Sequence, residues 1–121
     1  MTSPDLFDTV RTIGLRLPGV VAGTKYDGSP VLKVGGSFMA GLALHHSAEP
    51  GTLVIRMDPE DRQLLLEDAP ETYYITDYYR KHPVVLVRLH GVTQDGVREL
   101  LTVSRRLTLA KTRKRGENVE C

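Results

Sequence analysis

Pro30-Val31-Leu32-Lys33-Val34-Gly35-Gly36-Ser37-Phe38-Met39-Ala40-Gly41-Leu42 is the stretch on which the fold turns. Two short apolar runs flank a Gly-Gly pair, and paired glycines adopt the positive φ values of a primed turn without a Cβ clash. The stretch therefore predicts a tight β-hairpin. Upstream, Leu6, Val10, Ile13 and Leu17 recur at helical spacing, with Ser3 as N-cap, Pro4 in the first turn and Pro18-Gly19 ending the run. Downstream, a loop from His45 to Gly51 leads to a strand at Thr52 to Arg56. Asp58-Pro59-Glu60-Asp61 then starts a short helix running to about Asp68: the Asp58 carboxylate can cap free amides and Pro59 needs no donor. Thr72 to Ile75 and Val84 to Leu89 are β-rich runs joined across Asp77 to Pro83, which makes a second, looser hairpin. Thr93 caps a last helix with a stripe of Val97, Leu100, Leu101 and Leu107. Helix, strands, helix, strands, helix predicts an α+β domain, an antiparallel sheet with helices packed on one face.

The chain has 121 residues, enough for one core without disulfides or a structural metal. At 40% apolar and 26% charged it falls in the globular range. No apolar run is long enough to span a bilayer, Met-Thr-Ser-Pro-Asp lacks the features of a signal peptide, and Cys121 is the single cysteine. These features predict a cytoplasmic protein with no membrane partner. The net charge of +1 conceals an asymmetry: residues 1–104 carry 10 basic and 13 acidic side chains, residues 105–121 carry 6 and 2. Arg105, Arg106, Lys111, Arg113, Lys114 and Arg115 precede Gly116 and a polar end without apolar periodicity. The expected organisation is one domain over 1–110 and a basic, flexible tail over 111–121.

Period-two alternation along the strands puts Lys33, Arg56 and Arg88 on the outer sheet face beside Val31, Val54, Val84 and Leu86. That mixture of cations and exposed aliphatics is a candidate contact surface. In Tyr78-Tyr79-Arg80-Lys81-His82, rings able to stack on bases precede three donors able to contact phosphate. Gly35-Gly36 lacks the Lys-Ser/Thr ending of a phosphate loop. His45, His46 and Glu49 are the one cluster of metal-type ligands, but adjacent histidines in an extended loop are expected to point apart. Glu60, Asp61, Glu67, Asp68 and Glu71 surround a short helix, where capping and solvation account for them, and Cys121 has no ordered base beside it. Neither a catalytic set, a metal site nor a cofactor is expected, and the chain does not read as an enzyme.

Leu17-Pro18-Gly19-Val20, Pro30 to Gly36, Asp58 to Arg62, Pro70-Glu71-Thr72, Thr76 to Arg80 and His82 to Leu89 together, in that order and spacing, resemble the MmcQ/YjbR-like family over Leu6 to Leu109. The resemblance implies a fold similar to bacterial frataxin and a "double wing" nucleic-acid-binding role, with the wings mapping onto the Gly35-Gly36 hairpin and the Tyr78 to Pro83 hairpin. Many relatives carry a tryptophan just before the last strand, where this chain has Val84. The strongly acidic first helix of iron-binding frataxins has no counterpart either, since Asp5 and Asp8 are opposed by Arg11 and Arg16. The expected function is weak, largely sequence-nonspecific DNA binding through Lys33, Arg56, Tyr78, Tyr79, Arg80, Lys81, His82 and Arg88 and the basic terminal residues. The alternative is a non-catalytic domain that takes a protein partner or small ligand on its outer sheet face.

Overall fold

The computed structural model describes residues 3–25 and 28–120, and side chains over 7–25 and 28–111. The elements run α1 (Ser3–Gly14), β1 (Val20–Thr24), β2 (Pro30–Val34), β3 (Ser37–Leu42), β4 (Thr52–Arg56), α2 (Pro59–Asp68), β5 (Tyr73–Tyr74), α3 (Asp77–Arg80), β6 (Val84–Arg88) and α4 (Gln94–Glu120), with a 3-10 turn at Leu89–Gly91. Six strands in the order β1-β2-β3-β4-β6-β5 form one antiparallel sheet. The α+β architecture is as the alternation of periods predicts.

Gly35 and Gly36 have φ of 60° and 79°, the paired positive values that a primed two-residue turn needs. The β2–β3 register then slips, pairing Leu32 with Ala40 but Lys33 with Phe38, so Met39 is an extra residue in β3. This bulge turns both Met39 and Ala40 into the helix-side core and leaves Phe38 and Gly41 on the other face. On the helix side, the buried Ser104 hydroxyl of α4 donates to the Met39 carbonyl at 3.1 Å. Phe7, Val10 and Ile13 of α1 and Val97, Leu100 and Leu101 of α4 pack there against Leu32, Leu53, Ile55, Val85 and Val87. Thr93 accepts from the Gly96 amide at 3.0 Å, which caps α4. Asp58 holds the N-cap position of α2 with Pro59 behind it, but its carboxylate makes no capping bond; only its carbonyl is engaged, by the Arg62 amide. Ser3 and Leu6 belong to α1, with side chains outside the described residues, as are those of the tail beyond Lys111.

The outer face differs from the expectation of exposed aliphatics. Val31, Val54, Val84 and Leu86 are buried, Leu86 completely. Alternation assigns a residue to a face without saying what covers that face, and here the covering comes from the chain itself. The connection from β5 to β6 folds back across the strands through α3, so Tyr74, Ile75 and Tyr79, joined by Phe38 and Ala48, close a second core over Val54, Val84 and Leu86. Among the described residues no helix is long and apolar enough to cross a membrane.

Leu86 should thus behave as a core residue. Leu86→Ala is expected to cost about 2–5 kcal/mol in denaturant unfolding, like Leu53→Ala on the helix side. Leu64→Ala, at an exposed position, should stay within about 0.5 kcal/mol of the parent. A cost below about 1 kcal/mol at Leu86 would show that the outer face is solvated.

Candidate nucleic-acid interface

The strap over the outer face is held by tyrosine hydroxyls. Tyr74 Oη accepts from the Glu49 amide at 2.8 Å and pairs with the buried Thr52 hydroxyl at 2.7 Å, and Tyr79 Oη accepts from the His45 amide at 3.2 Å. Ser47 and Thr76 hydroxyls meet at 2.9 Å. The loop between the central strands β3 and β4, 43–51, and the segment 72–83 through β5 and α3 are thereby laced together. Arg88 completes the lacing. Its Nε and Nη2 donate to the two Glu49 carboxylate oxygens at 2.9 and 2.7 Å, its Nη1 donates to the carbonyls of Pro70 and Glu71, and its guanidinium lies 4.2 Å from the Tyr74 ring centre. The hydrogen bond from Arg88 holds the Glu49 carboxyl below its ordinary range. Arg88, read from the sequence as a phosphate contact, is committed to the fold.

Above this lacing stands a column of rings. His45 and Tyr78 stack with centroids 3.5 Å apart and planes 7° apart, His46 lies 4.2 Å beyond His45, and the Lys81 ammonium sits 5.3 Å over Tyr78. Tyr79 meets both His45 and Tyr78 edge-on. The two histidines do not point apart as an isolated extended loop predicts, because Tyr78 and the Ser47 contacts to His45 turn both rings to one side. Glu49 is bound to Arg88 instead, and among the described residues no group of three or more His, Cys, Asp or Glu is placed to hold a metal ion. Tyr78 remains 44% exposed, with His45 stacked on its ring and the Lys81 ammonium over it.

Cations gather at one end of the sheet. Val34 pairs with Ser37, Arg56 with Val84, and Ala40 with Ile55, so the Gly35-Gly36 turn, the end of β4 and the entry to β6 lie at the same end. Arg56 Nε donates to the Phe38 carbonyl at 3.0 Å and Arg62 Nη1 donates to the carbonyls of His82 and Val84. Burial, and then the neighbouring Arg80, push the Arg62 guanidinium below its ordinary value. Arg80 and Lys81 are exposed, as is His82; Lys33 projects half-buried from the outer side of β2. Asp77, on the same segment, is 3.8 Å from Arg80. The acids of the first turn of α2 start from the same end but on the helix side, where Asp61 lines a groove between α2 and α4.

The terminal cations lie elsewhere. Arg105 Nε donates to the Pro18 carbonyl at 2.6 Å at the end of α1, and Arg106 lines the α2–α4 groove with Leu64, Leu100 and Val103. Both are on the helix side, behind the sheet from Tyr78. Lys111 follows them on α4, exposed, while the side chains of Arg113, Lys114 and Arg115 lie outside the described residues. The structure therefore brings Lys33, Arg56, Tyr78, Tyr79, Arg80, Lys81 and His82 to one face and leaves Arg105 and Arg106 on the other. His45, Arg62 and Lys25 join the first group without a local sequence signal, since each arrives there through contacts with residues far along the chain.

The family model described as YjbR matches residues 15–107. Among solved structures, the chain is similar to Deinococcus radiodurans protein DR2400, described by the domain DUF419, with a TM-score of 0.67 and 26% identity over 84% of this chain and 76% of that one. No curated protein matches.

Ser47 N–H donates to His45 Nδ1 at 3.1 Å, which requires that nitrogen unprotonated. Burial, then His46 and Lys81, lower the His45 pKa from its ordinary value of about 6.5. A histidine lowered on folding contributes stability that is complete above the unfolded value and is lost as pH falls through the folded one. NMR titration should place His45 below the ordinary value, with the Ser47 and Tyr79 resonances moving as it protonates. Titration of His45 at or above about 6.5 would contradict the stack as described.

Proposed function

The chain belongs to the YjbR family, and from that premise we propose that it is a nucleic-acid-binding module, not an enzyme, that takes DNA weakly and largely without sequence preference on the outer face of its sheet. One observation carries the reading. Arg56, Arg80, Lys81 and His82 gather on the same face as the partly open Tyr78 ring, while Glu49 and Asp77 on that face are engaged with Arg88 and Arg80. Cations around an aromatic surface offer a phosphate backbone its charge partners and an unpaired base its stacking platform. None of these side chains stands on an element shaped to enter a major groove, which favours positioning over base reading. The Gly35-Gly36 turn at the same sheet end supplies the first of the two wings, and Lys33 lies beside it.

The basic terminal segment of Arg105, Arg106, Lys111, Arg113, Lys114 and Arg115 contributes differently. Arg105 and Arg106 lie behind the sheet, so this segment adds to the long-range attraction without shaping the contact. The reading carries with it a cytoplasmic location, which a single cysteine fits. The other reading, a protein partner or small ligand on the outer sheet face, has less open aliphatic surface to draw on than alternation implies, because Tyr74, Ile75 and Tyr79 pack over Val54, Val84 and Leu86.

Anisotropy titrations of labelled duplex and single-stranded DNA across a salt series test the proposal. With about three to five phosphates neutralised, log K should fall against log salt with a slope of roughly −3 to −5 on duplex. The pair Arg80→Ala and Lys81→Ala should weaken binding alike for every sequence, and removal of residues 111–121 should flatten the slope without altering the contact. Undetectable binding at low salt, or binding indifferent to the Arg80 and Lys81 changes, overturns the reading.

A further inference from the structure

We propose that a hollow on the outer face, between β3–β4 and the Tyr79–Val84 segment, is a binding site for a small organic anion with a flat apolar body. The hollow has a volume of about 250 Å3; Phe38, Val54 and Val84 form its apolar side, and Lys25, Arg56 and His82 its polar side. Tyr79 and Pro83 close the remaining wall, and no acidic residue lines it among the described residues.

The apolar side is built by the bulge in β3. With Met39 as the extra residue, Phe38 and Gly41 both face outward, and the Phe38 ring lies over Gly41, where any Cβ would meet the ring, the Pro30 carbonyl and Val31 at 3.2 Å. The ring is thereby laid along the sheet, and the Lys25 ammonium sits 5.8 Å from its centre. Arg56 is fixed from the other side by its Nε bond to the Phe38 carbonyl. An apolar surface with fixed cations along one border attracts an anion more strongly than the same cations in open water, because low-dielectric walls focus the field. A bare hydrated anion leaves the Phe38, Val54 and Val84 surface unused, and a neutral apolar molecule leaves the Lys25 and Arg56 cations unanswered. A molecule with both parts satisfies both sides. The volume is a little below the range of drug-sized pockets, which sets the size at one or two fused rings bearing a carboxylate or phosphate. The site shares Arg56 and His82 with the proposed DNA contact but needs a body that enters the hollow, whereas a duplex backbone would be met by Arg80 and Lys81 as well.

Calorimetric titration with 1-naphthyl phosphate, beside 1-naphthol and inorganic phosphate, tests the proposal on the full chain. Saturable one-to-one binding is expected, at least tenfold tighter than either fragment-like control. Lys25→Met keeps a side chain over Phe38 and removes the charge, and His82→Gln changes an exposed position; together they should weaken binding about tenfold or more with thermal unfolding unchanged. Amide shifts on saturation should centre on Val54, Arg56 and Val84. Success with or without DNA binding supports the site. Absence of saturable binding, equal affinity for 1-naphthol, indifference to the double variant, or shifts centred on the α2–α4 groove overturns it.

Discussion

A sheet whose central strands are apolar on both faces can leave neither face in water. Long helices cover one side only: α1 and α4 bury Leu53, Ile55, Val85 and Val87. Val54, Val84 and Leu86 require a second cover, and two short connections provide it, held in place by hydroxyls and not by a packed helix. Buried polar groups are costly when unpaired, and Tyr74 with Thr52 shows the remedy, an apolar ring over the core with its oxygen meeting the one hydroxyl beneath it. Arg88 belongs to the same solution, tying the Glu49 carboxylate and the carbonyls of Pro70 and Glu71 to one guanidinium.

The proposed contact surface is a by-product of that cover. Since Tyr79 must lie on Val84 and Val54, its chain neighbours Tyr78 and Arg80 are raised above the face, with Lys81 and His82 following toward the sheet end where Arg56 emerges. The segment is a one-turn helix bound down across the strands, from which Arg80 projects, exposed, with Lys81 next in the chain. The hollow beside it arises because the cover stops short of Phe38, where the β3 bulge and Gly41 set the ring flat.

What could be read from the sequence was local. The Gly35-Gly36 turn, the α4 stripe and the Pro59 start of α2 each depend on neighbours within a few residues, and each stands where the pattern puts it, while α1 carries Val10 and Ile13 as read but stops at Gly14, before Leu17. The bulge at Met39 was not legible, because nothing in Phe38-Met39-Ala40 breaks the apolar run; it shows only in pairing and in the Ser104 bond from far along the chain. The burial of Leu86 and the commitment of Arg88 share that origin, since alternation fixes a face and long-range contacts decide what covers it. Lys25, at the end of β1, and His45, in a loop, gained their places by contact with Phe38 and Tyr78.

The proposed function puts ligand contact on the outer face, strapped by Tyr74 and Tyr79, with the helix side behind it. Amide chemical-shift mapping with a short unlabelled DNA duplex tests that most directly. Changes are expected to be confined to Gly35-Gly36, Arg56 and Tyr78 to Val84, with Val97 to Leu101 still. Changes centred on α4 around Arg105 and Arg106, with the Tyr78 to Val84 amides unmoved, would contradict it.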